Sequence, residues 1–396
     1  MEKGIAVTGM GIISSIGKNL EENYISLISG KNGLSFSEIL ETKHTHLPVG
    51  EIKISNLELL DSLKLNSSKP ITRASLLGIV AVKEAILNAD LHETQLGTCG
   101  FISGTSVGGI DATEKYYKNF QDGDYTEFIK AQHPGFTSKQ IANYFEIKGQ
   151  VSTISTACSS AANSIMLGAR LIRSGKLKRV IVGGTDCLTK FTLNGFNSLM
   201  ILSEKPNKAF DEDRNGLNLG EGAAYLVLEA DDVLGAKQVL GRVSGYGNAN
   251  DAFHQTASSP EGEGAYMAMN KALRTAKLNP RDIDFIHAHG TATRNNDLSE
   301  SVAMNRVFKD SLPDFSSTKG FTGHTLAAAG GLQAVLNLLM LKNQQIYPTL
   351  NFQNKMEESG LIPITDLKHK RLSHILSNSF GFGGNCTSLI FSSNEK

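Results

Sequence analysis

The sequence has no excess of charge of either sign: 39 lysines and arginines stand against 39 aspartates and glutamates in 396 residues. Nothing in such a balance offers the basic face that nucleic acid demands, so nucleic acid is not an expected partner. Cysteine is scarce. Cys99, Cys158, Cys187 and Cys386 show no CxxC spacing, which argues against a zinc site or a disulfide framework and fits a reducing compartment. No apolar run reaches the roughly 18 residues that a membrane span needs. A strand pattern begins at once from Gly4-Ile5, so a cytoplasmic protein with no membrane partner is expected. A low-complexity linker is missing too. The length exceeds what one growing core takes in, so two tightly packed halves are expected, residues 1–237 and 238–396.

What the chain does have is alternation of apolar runs with amphipathic helices. In the first half the pattern predicts a strand at Ile5–Thr8, a helix over Thr72–Ala89, strands at Gly100–Ser103, Val151–Ile154 and Arg179–Gly183, and a helix from Ser159. In that last helix Ala162, Ile165, Ala169 and Ile172 recur at helical spacing and bury one face. The alternation restarts with a strand at Val239–Val243, a helix over Ala265–Thr275, a strand at Ile283–Ala288, a helix over Thr325–Leu341, and strands at His374–Ser377 and Ser388–Phe391. This is α/β patterning. Loops inserted around 31–67 and 116–136 are expected to cap the site.

Three residues carry the chemistry. Cys158 stands where Val151–Ile154 breaks into the small-residue helix start Ala157-Cys158-Ser159-Ser160, so the thiol faces orphan N–H groups and the positive end of the helix dipole. That placement lowers a thiol pKa and favours thiolate. Taken alone, such a cysteine is more often a small buried hydrophobe. His289 and His324 sharpen the reading, because each closes a strand and opens a loop, and strand ends of α/β sheets collect catalytic groups.

Other patterns are weaker. Gly9-Met10-Gly11-Ile12-Ile13-Ser14 lacks the third glycine and the later acidic residue of a dinucleotide fingerprint. Asp211-Glu212-Asp213-Arg214-Asn215-Gly216 opens like a calcium loop, but its twelfth position is Gly222, so an acidic surface turn is expected. His287 and His289 share one strand face without a third ligand, and no metal is expected.

Thr156-Ala157-Cys158-Ser159-Ser160, His289-Gly290-Thr291-Ala292-Thr293, Ser317-Thr318-Lys319 with Gly323-His324, and Asn378-Ser379-Phe380-Gly381-Phe382-Gly383-Gly384 occur in one order. With them the chain resembles the β-ketoacyl-[acyl-carrier-protein] synthases, from Ile5-Ala6-Val7-Thr8-Gly9-Met10-Gly11 to its C-terminal strand. The resemblance implies a thiolase fold: α/β, two duplicated βαβαβαββ halves in a five-layered α-β-α-β-α core. It implies an acyltransferase catalysing a decarboxylative Claisen condensation in fatty acid, polyene or polyketide synthesis, with no cofactor. Acyl and malonyl groups would arrive on acyl carrier protein, and the protein would be a homodimer or pair with a related ketosynthase-like subunit.

By the same resemblance Cys158 is the nucleophile, and the amides of Cys158 and Phe382 form the oxyanion hole. His289 and His324 bind the malonyl carbonyl, while Lys319 is an electrostatic partner, although a lysine in a polar loop is usually just solvated. Asp297 and Glu300 support the site, with Glu300 the buried partner of Lys319. Thr291 and Thr293 touch the malonyl or pantetheine group, Phe196 and Val107 line the acyl channel, and Phe382 gates it. Lys69 and Arg73 are first candidates for docking the carrier.

The chain departs from the family at several points. Asn385-Cys386 stands where Thr-Asn is usual, Gln333 where Glu is usual, and His287 where Asn is common. Some relatives hold a structural cation near Gln333 and His287, which puts that cation in doubt and hints at a specialised synthase. Three alternatives remain. A non-catalytic chain-length partner would lack Cys158, a degradative thiolase would carry a second catalytic cysteine where Cys386 lies near the glycine loop, and a papain-like hydrolase would leave the second histidine idle.

Overall fold

The computed structural model describes residues 4–66, 70–119 and 125–394. Its strands are β1 (Ile5–Ser14), β2 (Gly100–Gly104), β3 (Val151–Ile154), β4 (Arg179–Asp186), β5 (Gly222–Ala230), β6 (Gly241–Asn250), β7 (Phe285–His287), β8 (Asp314–Ser316), β9 (Gln345–Ile346), β10 (Lys368–His369), β11 (His374–Phe380) and β12 (Asn385–Ser392). Strands β9 and β10 make a small ribbon, and the rest form one mixed sheet in the order β3-β2-β4-β5-β1-β6-β12-β11-β7-β8. The seam is thin. β1 meets β6 only through Ala6 opposite Arg242 and Val7 opposite Gly241. Outward from the seam, each side runs through the first, fifth, fourth, second and third strand of its own half. Each side also has the same parallel and antiparallel pairs, so the two halves repeat one βαβαβαββ plan.

Helices 160–173 and 329–343 pack on each other. Helix 329–343 also touches both β5 and β11, so this helical pair lies between the two half-sheets. Helix 73–88 covers the outer side of β1 and β5, with helix 134–144 beside it. Helix 263–276 covers β6 and β12, with helix 294–308 beside it. This gives the expected α-β-α-β-α order. Helix 329–343 is buried from Ala329 to Leu341, as a predominantly apolar helix in a central layer must be. The glycines of β1 explain the closeness of the outer layer: a Cβ on Gly9 would lie 2.3 Å from the Ala85 carbonyl oxygen, and one on Gly11 2.1 Å from that of Ala81.

Several expectations change. β5 was not visible in the sequence, because a strand buried on both faces shows no alternation, and all nine of its residues are buried. The helix expected from Thr325 breaks at Leu326 (φ 51°) into a 3-10 turn over Leu326–Ala328 before Ala329–Asn343. His324 closes no strand, since the buried helical turn Lys319–Thr322 lies between β8 and His324. Asp211 is no surface residue. Its carboxylate is fully buried and accepts the amides of Gln353 (2.5 Å) and Asn354 (2.8 Å). The segment before helix 56–62 packs behind the 319–322 turn rather than over the site: the Gly33 amide donates to the Phe321 carbonyl at 2.8 Å. Among the described residues no helix is long and apolar enough to cross a membrane.

Candidate active site

The turn that carries Cys158 lies between β3 and helix 160–173. Ala157 takes a left-handed φ of 51°, which forces the chain to reverse and brings Cys158 just ahead of Ser159, the residue that starts the helix. Side chains hold the turn. Ser160 Oγ donates to the Ala157 carbonyl (2.6 Å) and accepts the Thr156 amide (2.9 Å), while Ser159 Oγ donates to Asn385 Oδ1 (2.8 Å). The last contact ties the turn to the residue that follows the glycine loop. Gly381 is needed there because a Cβ would sit 2.7 Å from the Thr156 carbonyl oxygen and 3.1 Å from the Cys158 nitrogen.

The thiol is not the low-pKa group that the helix start implied. Burial pushes Cys158 up to about 11, against the Lys319 charge and the amides of Phe382 and Cys158, which pull it down. Desolvation outweighs the helix end here, because Cys158 is only 6% exposed. The other thiols are also buried and also pushed up, Cys99 to about 12.

His289 and His324 meet edge to face, ring centroids 5.4 Å apart at 86°, and both line the cavity that holds Cys158. The Leu326 amide donates to His324 Nδ1 at 3.1 Å, so the proton of the neutral ring sits on Nε2. Lys319 Nζ lies 3.3 Å from His289 Nδ1 and donates to the His289 carbonyl, which occupies the same nitrogen in the other ring. Burial holds both histidines well below the usual imidazole range. The Lys319 charge adds to this, and His324 adds further at His289. The pair therefore presents two uncharged N–H donors.

Lys319 is not the solvated lysine of a polar loop, since it is buried in the 319–322 turn. Burial pushes its pKa down and that of Glu300 up. Glu300 reaches Lys319 by charge. Its oxygens accept the amides of His289 (2.8 Å) and Gly290 (2.9 Å) and Asn378 Nδ2 (3.1 Å). Asp297 accepts the amides of Phe210, Thr291 and Ala292, at 2.7, 3.0 and 3.1 Å. Together the two carboxylates shape the 289–292 loop, in which Gly290 and Ala292 both have positive φ.

The cavity, about 440 Å³, is lined by Cys158, both histidines, Thr291, Thr293, Phe196, Cys386 and the 380–384 loop. Phe196 stacks on Phe382, centroids 5.6 Å apart at 17°. Thr291 and Thr293 hydroxyls pair at 2.8 Å. Val107 is not on this wall. Neither are the described residues of the 31–67 and 116–136 segments expected to cap it; among the described residues, Phe196, Met200, Ile201, 215–217 and 256–258 take that place. Lys69 lies outside the described residues. Arg73 offers no docking charge: it is 7% exposed, and its guanidinium grips Glu221 (2.6 and 2.8 Å) and the carbonyls of Ile52 and Ile54.

Both nitrogens of His287 are taken, by Asn337 Oδ1 (2.7 Å) and Thr318 Oγ1 (2.9 Å). Gln333 Nε2 donates to the carbonyls of His287, Ala288 and Asn378 at 3.2–3.3 Å, so a neutral amide engages those three oxygens. No group of three or more His, Cys, Asp or Glu suited to a metal occurs among the described residues. Sequence reasoning missed Asp186. Buried at the end of β4, its carboxylate accepts Thr105 Oγ1 (2.5 Å), the Ser106 amide (3.0 Å) and the Ala327 amide (3.0 Å), and burial pushes it up to about 6. It thereby ties the loop after β2 to the turn that fixes the His324 tautomer. No local motif marks it, because its partners lie 80 and 141 residues away.

Two family models match: β-ketoacyl synthase N-terminal domain over residues 2–233 and C-terminal domain over 240–353. The chain is 31% identical to a 3-oxoacyl-[acyl-carrier-protein] synthase 2 of Staphylococcus aureus, covering 98% of each chain. It is 30% identical to the enzyme of that name from Synechocystis, again with 98% coverage of both. Among solved structures, it superposes with TM-score 0.86 on a chain of a ketosynthase in complex with its chain length factor from Xenorhabdus doucetiae (31% identity, 99% and 98% covered). On a chain of the ishigamide ketosynthase/chain length factor the TM-score is 0.93 (28% identity, both fully covered).

Proposed function

This chain belongs to the β-ketoacyl synthase family and is a carrier-protein-dependent condensing acyltransferase of the thiolase fold; from its site we propose how each residue serves that reaction. Cys158 Sγ attacks the thioester carbonyl of an acyl-carrier protein. The carbon–sulfur bond to the carrier breaks, and the thiol proton leaves with the carrier thiol. The amides of Cys158 and Phe382, both facing the sulfur, hold the oxyanion. Malonyl-carrier protein then places its thioester oxygen against Nε2–H of His289 and His324. Loss of carbon dioxide leaves an electron pair on the α-carbon as an enolate, which those donors stabilise. The carbanion attacks the acyl-cysteine, the new carbon–carbon bond forms, and the Cys158 sulfur departs and takes up one proton. Neither histidine acts as a base through Nε2 in this scheme.

The observation that carries the reading is that Cys158 and two neutral histidines, each with Nδ1 already engaged, share one cavity. Phe382, stacked on Phe196 between glycines, serves as the gate to the acyl pocket, and Lys319 with Glu300 and Asp297 fixes the histidine loop. We place the division between the halves at residue 237, in the connection from β5 to β6. A second copy, or a related ketosynthase-like subunit, joins along β3: among the described residues this edge strand has no outer partner, and Val151 is 40% exposed where most of the sheet is buried. A thiolase is the weaker alternative, because Cys386 lines the cavity but is itself buried and its thiol is pushed above that of Cys158. The test is intact-mass analysis after incubation with a panel of acyl-carrier-protein thioesters. One acyl adduct mapping to Cys158 is expected; no adduct with any member, or an adduct on Cys386, rejects the assignment.

A further inference from the structure

The cavity needs a mouth wide enough for a pantetheine arm, and its walls say where that arm's charge goes. Among the described residues, Arg294 is the sole charged side chain lining it. Arg294 is exposed, and its guanidinium makes no ion pair or hydrogen bond to another described residue. It opens helix 294–308, whose start carries no side-chain cap. Asp297, in the first turn of that helix, directs its carboxylate backward onto the amides of Phe210, Thr291 and Ala292. The rim around Arg294 is pinned. Asn295 Oδ1 accepts the Ser258 amide (2.7 Å) and Asn295 Nδ2 donates to the Ser258 carbonyl (3.0 Å), closing the 256–258 segment onto the helix start. Arg294 also borders a neighbouring depression together with Arg214, Glu212 and Glu358, and those three do not line the cavity that holds Cys158.

We infer that Arg294 binds the phosphodiester of the carrier's phosphopantetheine arm at the cavity mouth. The inference rests on the carrier-dependent reading and deepens it. Neutral walls between Arg294 and Cys158 suit the uncharged amide chain of pantetheine, whereas a single anion entering that chamber has one cation to meet. Arginine's planar fork matches phosphate oxygens, and such charge-assisted contacts are the strong class of hydrogen bond. Lys69 and Arg73 were expected to dock the carrier protein itself, a separate role, and of these Arg73 is buried.

The experiment is protection of Cys158 from iodoacetamide by S-methyl phosphopantetheine and by S-methyl pantetheine, which differ only in the phosphate. Wild type is expected to need about three- to tenfold less of the phosphorylated compound for half-protection, with the preference shrinking as salt is raised. Arg294→Gln should need equal amounts of both, and Arg294→Lys should restore part of the preference. Equal half-protection in wild type, or a Gln variant that keeps the preference, overturns the inference. Turnover of malonyl-carrier protein is followed in parallel. A wild type that shows the phosphate preference yet never condenses rejects the reaction and leaves the arginine assignment standing.

Discussion

In the proposed reaction the two walls of the cavity meet negative charge by different means. On the cysteine wall the donors are main-chain amides, those of Cys158 and Phe382, held by a left-handed Ala157 and by a glycine loop that a Cβ would push away. On the histidine wall the donors are side chains, kept neutral by burial and aimed by Leu326, Lys319, Glu300 and Asp186. Amides survive almost any side-chain substitution, while an imidazole is lost with one. The two half-reactions should therefore fail separately.

The largest effect comes from removing one wall at a time. Cys158→Ala should abolish condensation yet keep release of carbon dioxide from malonyl-carrier protein, since decarboxylation needs only donors at the malonyl carbonyl. His289→Ala and His324→Ala should each cut that release by roughly a hundredfold or more while Cys158 still takes up an acyl group. The double histidine variant need be no worse than either single one. If the cysteine variant condenses, or both histidine variants release carbon dioxide at the parental rate, the division of labour is wrong.

Next is the cysteine itself. With its thiol pushed up to about 11 by burial, alkylation of Cys158 should climb about tenfold per pH unit from about pH 6 to about pH 9. A rate already level near neutrality would mean that the helix end and Lys319 outweigh desolvation after all. Peptide mapping after limited iodoacetamide treatment gives the rate at each thiol.

A smaller change should follow from Asp186→Asn, which sets an N–H against the Ala327 amide and loosens the turn behind His324. Carbon dioxide release should fall about tenfold, more than the rate of Cys158 acylation. Equal losses in both would make Asp186 a purely structural residue.

A last effect concerns stability and pH. His287, buried behind the histidine wall, is held down to about 3, chiefly by burial. Below about pH 6.5 the unfolded chain takes up a proton there that the fold refuses, so stability falls as pH falls. Between about pH 7.5 and about pH 5 this one group should cost about 2 kcal/mol. His287→Asn should lose that much less over the same interval in urea titrations. The raised carboxyls of Glu300 and Asp186 work in the opposite sense and cancel in the comparison.

Much of the site was legible because catalytic residue types stand in short contiguous motifs: the turn at Cys158, the loop at His289 and the glycines around Phe382 each declare themselves locally. Arg294 went unread because one arginine in a polar stretch has no local signature, and its meaning comes from being the one charged side chain among the described residues that line the cavity. Arg73 was misread for the converse reason. It looks like any helix-start cation until Glu221, 148 residues away, is seen to enclose it.

By itself the sequence determined the α/β alternation, the order of the four motifs and the candidates proposed as nucleophile and histidine pair, since these are properties of adjacent residues. Only the tertiary structure decided the protonation of those groups, the tautomers of the histidines, the burial of Lys319 and the place of β5 at the centre of its half-sheet. Each depends on desolvation and on partners brought together from distant parts of the chain, and burial, which outweighs the helix end at Cys158, exists only once the layers have closed.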